Sequence, residues 1–224
     1  MPFESIVISS GHGKYVRGAS GILDEVDEAR KVTEALADEL RNRGVEVVTY
    51  HDDVSKSQNE NLNRITDFHN SKLRDLDISV HFNAYEQVEK PMGTEVLYVS
   101  QSELASDLSA AISEGGGFIN RGAKKRTDLH FLNQTEEPSV LLEVCFVDSE
   151  ADTELYLENF EGIIDAIAFV LSGTESEDEI EEGEPPPVRP PSVTAPPTAI
   201  PRVDIEVSGE VIIFINGEQV GTKG

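Results

Sequence analysis

Three side chains suited to chemistry fall at or inside short apolar runs of this chain. His12 stands in Ser9-Ser10-Gly11-His12-Gly13, where two glycines let the backbone fold tightly around an imidazole. His81 ends the run Ile78-Ser79-Val80-His81, and Glu143 interrupts Val140-Leu141-Leu142-Glu143-Val144-Cys145-Phe146-Val147, which is otherwise apolar. Burying an unpaired carboxylate is costly, so Glu143 must be paired, protonated, near a metal, or at an exposed strand end. A buried carboxyl with a raised pKa is also what a general base near neutral pH requires. Each histidine alone is equally a hydrogen-bonded structural residue. Two of them beside an orphan carboxylate favour a first-row metal, because catalytic zinc uses three such ligands and leaves a fourth position to water. There is no His-Glu-x-x-His run, so spacing alone does not diagnose zinc.

The elements that must position these groups alternate in type. Short apolar strands are expected at residues 6–8, 45–50, 76–81, 93–99 and 140–147. Helices are expected at 25–43, 58–73, 103–112 and 155–171. The helix from Glu25 carries Val26, Ala29, Val32, Leu36 and Leu40 on one face and ends at Gly44, a good helix-stopping residue. Such alternation implies an α/β fold, a mostly parallel twisted sheet with helices on both faces. In open sheets of this kind ligands bind beyond the carboxyl ends of the strands, where His12 and His81 fall.

Composition narrows the partners. The 224 residues carry a formal net charge of −25, and residues 1–173 alone hold 15 Lys/Arg against 32 Asp/Glu. An acidic surface argues against nucleic acid and against unaided adsorption to anionic membranes. No run of about 18 apolar residues exists, so no membrane span is expected. The first residues, MPFESIVISSGHG, lack a basic segment and read as a strand rather than a secretion signal, which places synthesis in the cytoplasm. The one cysteine, Cys145, can form no intrachain disulfide and is expected to be a buried packing residue.

Three segments follow from these shifts in composition. Residues 1–173 form the catalytic-sized domain. Residues 174–201 form a linker that is first acidic (TESEDEIEEGE) and then proline-rich, with a polyproline-like stiffness. Residues 202–224 alternate like strands around Asn216-Gly217, a hairpin turn signal, and read as a partial β module serving attachment or self-association. Other histidines rank lower. His51 and His130 are candidates to line a cleft, and His69 is expected on a solvated helix face. Arg121, Lys124, Lys125 and Arg126 form a dense basic cluster, read as a solvated loop or as a contact for peptide carboxylates.

In order along the chain, Ser-Ser-Gly-His12-Gly, Glu25 at a helix start, Ser79-Val-His81-Phe-Asn-Ala84 and Leu-Leu-Glu143-Val-Cys-Phe-Val-Asp-Ser resemble the four motifs of the amidase-3 family of N-acetylmuramoyl-L-alanine amidases. Asn120-Arg121-Gly122-Ala123-Lys124 is similar to that family's arginine-glycine segment. Asp152 to Leu157 resembles the acidic start of its closing helix. The resemblance covers about residues 4–171. It implies one Zn²⁺ held by His12, Glu25 and His81, a catalytic Glu143, and peptidoglycan as substrate, cut between the lactyl group of N-acetylmuramic acid and L-alanine. Asp24, Asp27 and Glu28 compete with Glu25, which is preferred because Val26 and Ala29 then take the family's helix positions. Substrate contacts are expected from Asn83, Arg121 and His130. The chain departs from the family at Ser9-Ser10 (usually Asp-Pro), at Cys145-Phe146 (usually Gly-Phe) and at Asp148-Ser149 (usually Ser-Asn), which puts substrate fit in doubt more than metal binding. A phage or prophage endolysin, acting on the wall after release, is the expected role. The alternatives are a host autolysin and a non-catalytic wall-binding protein on the same fold.

Overall fold

The computed structural model describes residues 3–174 and three strands among residues 203–223. The chain divides into two compact units, Met1–Glu181 and Glu182–Gly224.

In the first unit six strands form one sheet in the order β2-β1-β3-β6-β4-β5. They are β1 (Ser5–Ser10), β2 (Glu46–Tyr50), β3 (Leu76–Asn83), β4 (Thr94–Tyr98), β5 (Asn120–Lys125) and β6 (Ser139–Phe146). β1 pairs in parallel with β2 and β3, and β3 in parallel with β6. β4 runs antiparallel to β6 and parallel to β5. Because β2 lies on one side of β1 and β3 on the other, the chain leaves β1 in one direction and returns past it in the other. The carboxyl ends of β1 and β3 therefore flank a topological switch point, the place where such sheets leave a crevice.

The two faces are covered unequally. Helices α1 (Glu25–Asn42), α3 (Ser102–Gly116) and α6 (Phe160–Ser172) pack on one face. They bury a large core that includes Ile6, Ile8, Leu36, Leu40, Ile78, Val80, Leu142 and Ile167. Helix α2 (Gln58–Asn70) and the short α4 (His130–Gln134) cover only part of the other face, over a small cluster of Ile65, Leu97, Phe131, Leu132 and Leu141. The first helix forms where expected. Asp24 caps it by accepting from the Val26 and Asp27 amides, and the chain leaves it through Gly44 at φ +83°.

The structure corrects several expectations. The single helix at 155–171 is two, α5 (Glu150–Glu158) and α6, broken at Asn159. The basic cluster is not a loop: most of it is the edge strand β5, whose polar NRGAKK sequence carries no apolar alternation. His69 is not solvated but fully buried. Its Nδ1–H donates to Asp77 (2.7 Å), since a carboxylate only accepts, and its Nε2 accepts the Ser9 hydroxyl (3.0 Å). Burial holds this imidazole below its ordinary pKa, against the raising effect of Asp77.

In the second unit β7 (Val203–Ser208), β8 (Glu210–Ile215) and β9 (Glu218–Lys223) form a three-stranded antiparallel sheet. Ile215 pairs with Glu218 across Asn216-Gly217, which themselves lie outside the described residues, as does the expected linker beyond Thr174.

Buried Asp152, in the first turn of α5, ties three segments together. Its carboxylate accepts the amides of Met92 (3.0 Å), Gly93 (2.9 Å) and Phe146 (3.3 Å), fixing the turn before β4 to the end of β6. Asp152→Ala leaves three amides short of an acceptor at about 1–3 kcal/mol each. A loss of about 3 kcal/mol or more is expected in denaturant unfolding, with Asp152→Asn losing less.

Candidate active site

His12, Glu25 and His81 come from three separate elements and converge. His12 follows β1, Glu25 opens α1, and His81 lies near the end of β3. One donor atom from each lies within 4.8 Å of the other two. Glu25 Oε1 is 2.9 Å from His81 Nδ1 and 3.6 Å from His12 Nε2. The imidazole rings stand edge to face with centroids 4.9 Å apart. Their competitors are engaged elsewhere: Asp24 and Asp27 with Arg17, and Glu28 with Lys31 and the Tyr156 hydroxyl.

Glu25 is 3% exposed, and its remaining valences are filled by the Phe82 amide on Oε1 (3.2 Å) and the Ala19 amide on Oε2 (2.6 Å). Burial alone raises its pKa. The hydrogen bond from His81, the charges of His81 and His12, and the Ala19 amide outweigh burial and bring it below the ordinary carboxylate range. His81 moves the other way. Burial lowers it, and Glu25 more than offsets that. His12 is lowered by burial and by the neighbouring His81. Its Nδ1 is buried without a hydrogen bond of ordinary geometry, although the Val16 carbonyl lies near enough to favour the protonated ring. Two imidazoles aimed at one buried carboxylate oxygen form a donor set for a divalent cation.

Glu143 is half-buried and sits directly opposite His81 in the β3–β6 register. It falls on the face that α2 and α4 cover incompletely, following Leu141 by two residues, which explains a carboxylate inside an apolar strand. Desolvation pushes its pKa up to about 7, helped by Glu25 and Glu95 and opposed by His81 and Arg126. Its Oε2 is buried with no hydrogen-bond partner. It shares with His12 and His81 a cavity of about 440 Å³, floored by Leu97 and Leu141 and walled by α2 and α4.

The remaining candidates separate. His130 lines this cavity. Asn83 and Arg121 do not. They line a shallower depression of about 320 Å³ with Tyr85, Met92 and Phe146. Arg121 is paired with Glu95 (2.8 Å) and lies over the Phe146 ring at 5.0 Å, and Arg126 is paired with Asp128. His51 stays outside the cavity, between the Ser10 hydroxyl (2.9 Å) and Glu34 (2.9 Å). Cys145 is fully buried, and burial pushes its thiol pKa up, as expected of a packing residue. Glu95 was not singled out by the sequence, although a lone acidic residue in an apolar strand was the same signal that marked Glu143.

Known proteins match this arrangement. The family described as N-acetylmuramoyl-L-alanine amidase matches residues 6–169. An uncharacterized 38.4 kDa protein of Clostridium perfringens is 35% identical over 167 residues, 71% of this chain and 48% of that protein. A probable cell wall amidase of Staphylococcus saprophyticus is 27% identical, over 69% of this chain and 52% of its own length. The chain thus spans about half the length of these relatives. Among solved structures, the catalytic domain of an endolysin targeting Clostridia Difficile has a TM-score of 0.69 at 29% identity, covering 77% of this chain and 98% of that one. With the sheet, the converging triad and a match over nearly all of the first unit, the chain belongs to the amidase-3 family of N-acetylmuramoyl-L-alanine amidases.

Proposed function

We propose that this protein is a zinc-dependent peptidoglycan amidase that hydrolyses the amide between the lactyl group of N-acetylmuramic acid and L-alanine. The observation that carries the reading is Glu143, a carboxyl poised near 7 with one unpartnered oxygen, in the same cavity as His12 and His81 of the triad.

The triad fits zinc on its own chemistry. Ligands about 2 Å from one tetrahedral ion lie about 3.3 Å apart, close to the 2.9 and 3.6 Å seen here. Two glycines let the backbone approach these side chains closely. A Cβ on Gly11 would stand 1.7 Å from His81 Nε2, and one on Gly18 2.3 Å from Glu25 Oε2. Zinc held by these three side chains would supply Lewis-acid polarisation of the lactyl carbonyl and of the attacking water. Glu143 takes the proton from that water as its oxygen bonds to the carbonyl carbon. The same group then returns the proton to the L-alanine nitrogen as the C–N bond breaks, leaving a lactyl carboxylate and a free amine. Partial burial against the apolar floor of Leu97 and Leu141 strips water from the Glu143 carboxyl and keeps its pKa near 7.

An endolysin role is supported by the 29% likeness to an endolysin catalytic domain. In that role the three-stranded sheet of the second unit acts as an attachment or self-association element, raising local concentration at an insoluble wall.

Three outcomes are expected. Glu143→Gln keeps the zinc stoichiometry and the circular dichroism spectrum but loses about 10² to 10⁴ in kcat. Unchanged release of stem peptide bearing a free L-alanine amine from purified sacculi, read by mass spectrometry, would sink the assignment. Gly11→Ala displaces the His81 ring, so zinc affinity falls by at least about tenfold in a chelator competition while the protein stays folded. Removal of residues 175–224 leaves a folded enzyme with full activity on soluble muropeptide and reduced activity on intact walls, measured side by side.

A further inference from the structure

Two hollows, a walled arm and an open arm, are linked through the Glu143–Glu95 pair. Glu143 and Glu95 are directly opposed across the β4–β6 ladder. From Glu95 the polar contacts continue away from the metal-type triad, to the Asn83 amide (3.3 Å) and to Arg121 (2.8 Å). Asn83 and Arg121 line a shallow depression with Tyr85 and Phe146, so Glu95 links that depression to the Glu143 end of the active-site cavity. On the other side of Glu143, the cavity runs under α2 and α4 and closes on the buried cluster of Ile65, Leu97, Phe131 and Leu141.

We propose that the open arm holds the N-acetylhexosamine ring of the substrate and that the walled arm holds its stem peptide. The inference rests on the amidase reading above and adds a direction to it. Shape gives the first reason. A glycan strand continues on both sides of the muramyl residue and needs an open run across the surface. A stem peptide is a branch, and a branch enters a pocket that ends on a buried floor. Chemistry gives the second. In the open arm the Tyr85 ring is 76% exposed, and the Arg121 guanidinium covers Phe146. The backbone under the Tyr85 ring is pinned, its amide donating to Asp148 Oδ2 (2.7 Å) and the Ala84 amide to Asn83 Oδ1 (2.9 Å). An exposed aromatic face suits the C–H face of a pyranose, and amide and guanidinium edges suit its hydroxyl and acetamido groups. Arg121 is already neutralised by Glu95, so this arm has no free cation for the carboxylates of a peptide. The walled arm instead offers an apolar floor for the alanine methyl, with His130 and Gln58 at its edge.

The test compares two substrates cleaved at the same bond, a GlcNAc–MurNAc disaccharide bearing the stem tripeptide, and that tripeptide bearing only a lactyl group. In Tyr85→Ala the ratio of kcat/KM between the two should fall about tenfold through KM, equivalent to about 1.4 kcal/mol. In His130→Ala both substrates should weaken alike. Equal weakening of the two in Tyr85→Ala makes that residue structural and overturns the proposal, and a ratio that moves with His130→Ala reverses the arms. Should the wild-type protein cleave neither compound, the amidase reading fails, but the arm is still tested by titrating the peptide-free disaccharide. Binding that Tyr85→Ala abolishes upholds the sugar subsite, and equal affinity or no binding refutes it.

Discussion

A carboxylate buried at the start of a helix is the constraint around which the rest of the site is built. Glu25 is almost out of solvent, and an anion in that position is stable only if its surroundings answer it in full. The amino terminus of α1 contributes a favourable dipole, and backbone amides from Ala19 and Phe82 together with the His81 ring supply its hydrogen bonds. Meeting these demands fixes the neighbourhood. The loop between β1 and α1 must fold back to present Ala19, which forces Gly18 to φ +70° where a side chain would strike both Glu25 and His12. β3 must lie next to β1 so that one strand delivers the imidazole and the amide together. The order β2-β1-β3 is therefore a topological requirement of the triad as much as a product of the hydrophobic core.

The strand that carries His12 is held from both faces. Successive side chains of β1 point to opposite sides of the sheet. Ser9 reaches the buried His69–Asp77 pair on the α2 side, and Asp77 is in turn bracketed by Arg74. Ser10 reaches His51 and Glu34 on the α1 side, with the His12 carbonyl 3.3 Å from the same hydroxyl. These two serines stand where the family usually has Asp-Pro. A proline would stiffen the approach to the Gly-His-Gly turn by fixing φ. Here that restraint is supplied by two hydrogen-bonded side-chain chains, so this departure from the family alters the scaffold and leaves the donor atoms in place.

What the sequence made legible, and what it hid, has a physical pattern. Glu143 could be read because a charge inside an apolar strand violates binary patterning, and the violation is real: the face it occupies is left open by the short α4. His12 and His81 could be read because they follow apolar runs at strand ends. Glu25 could not be separated from Asp24, Asp27 and Glu28 by residue type, since all four suit a helix start. Only the three-dimensional packing sends Asp24 to the cap and Glu28 to Tyr156. β5 was hidden because an edge strand paired on one side needs no apolar alternation, and its Lys124 and Lys125 are the charges that discourage further pairing. His69 was hidden because its partners lie on strands and not on its own helix, Ser9 on β1 and Asp77 on β3.

The placement of Glu95 follows from the same economy of charge. Two carboxylates directly opposed on one sheet face repel, and Glu95 raises the proton affinity of Glu143. A structure built only for stability would separate them or bury a cation between them. Here Arg121 and Asn83 restrain Glu95 from its far side, leaving Glu143 exposed to the repulsion but free of any hydrogen bond on Oε2. The strain is therefore concentrated on the one group whose raised pKa is useful. A salt bridge to Glu143 itself would lower that pKa and occupy the oxygen that must accept a proton. Arg121 of β5 thus acts one residue away from the proposed base: it holds Glu95 in place and leaves Glu143 Oε2 unpaired.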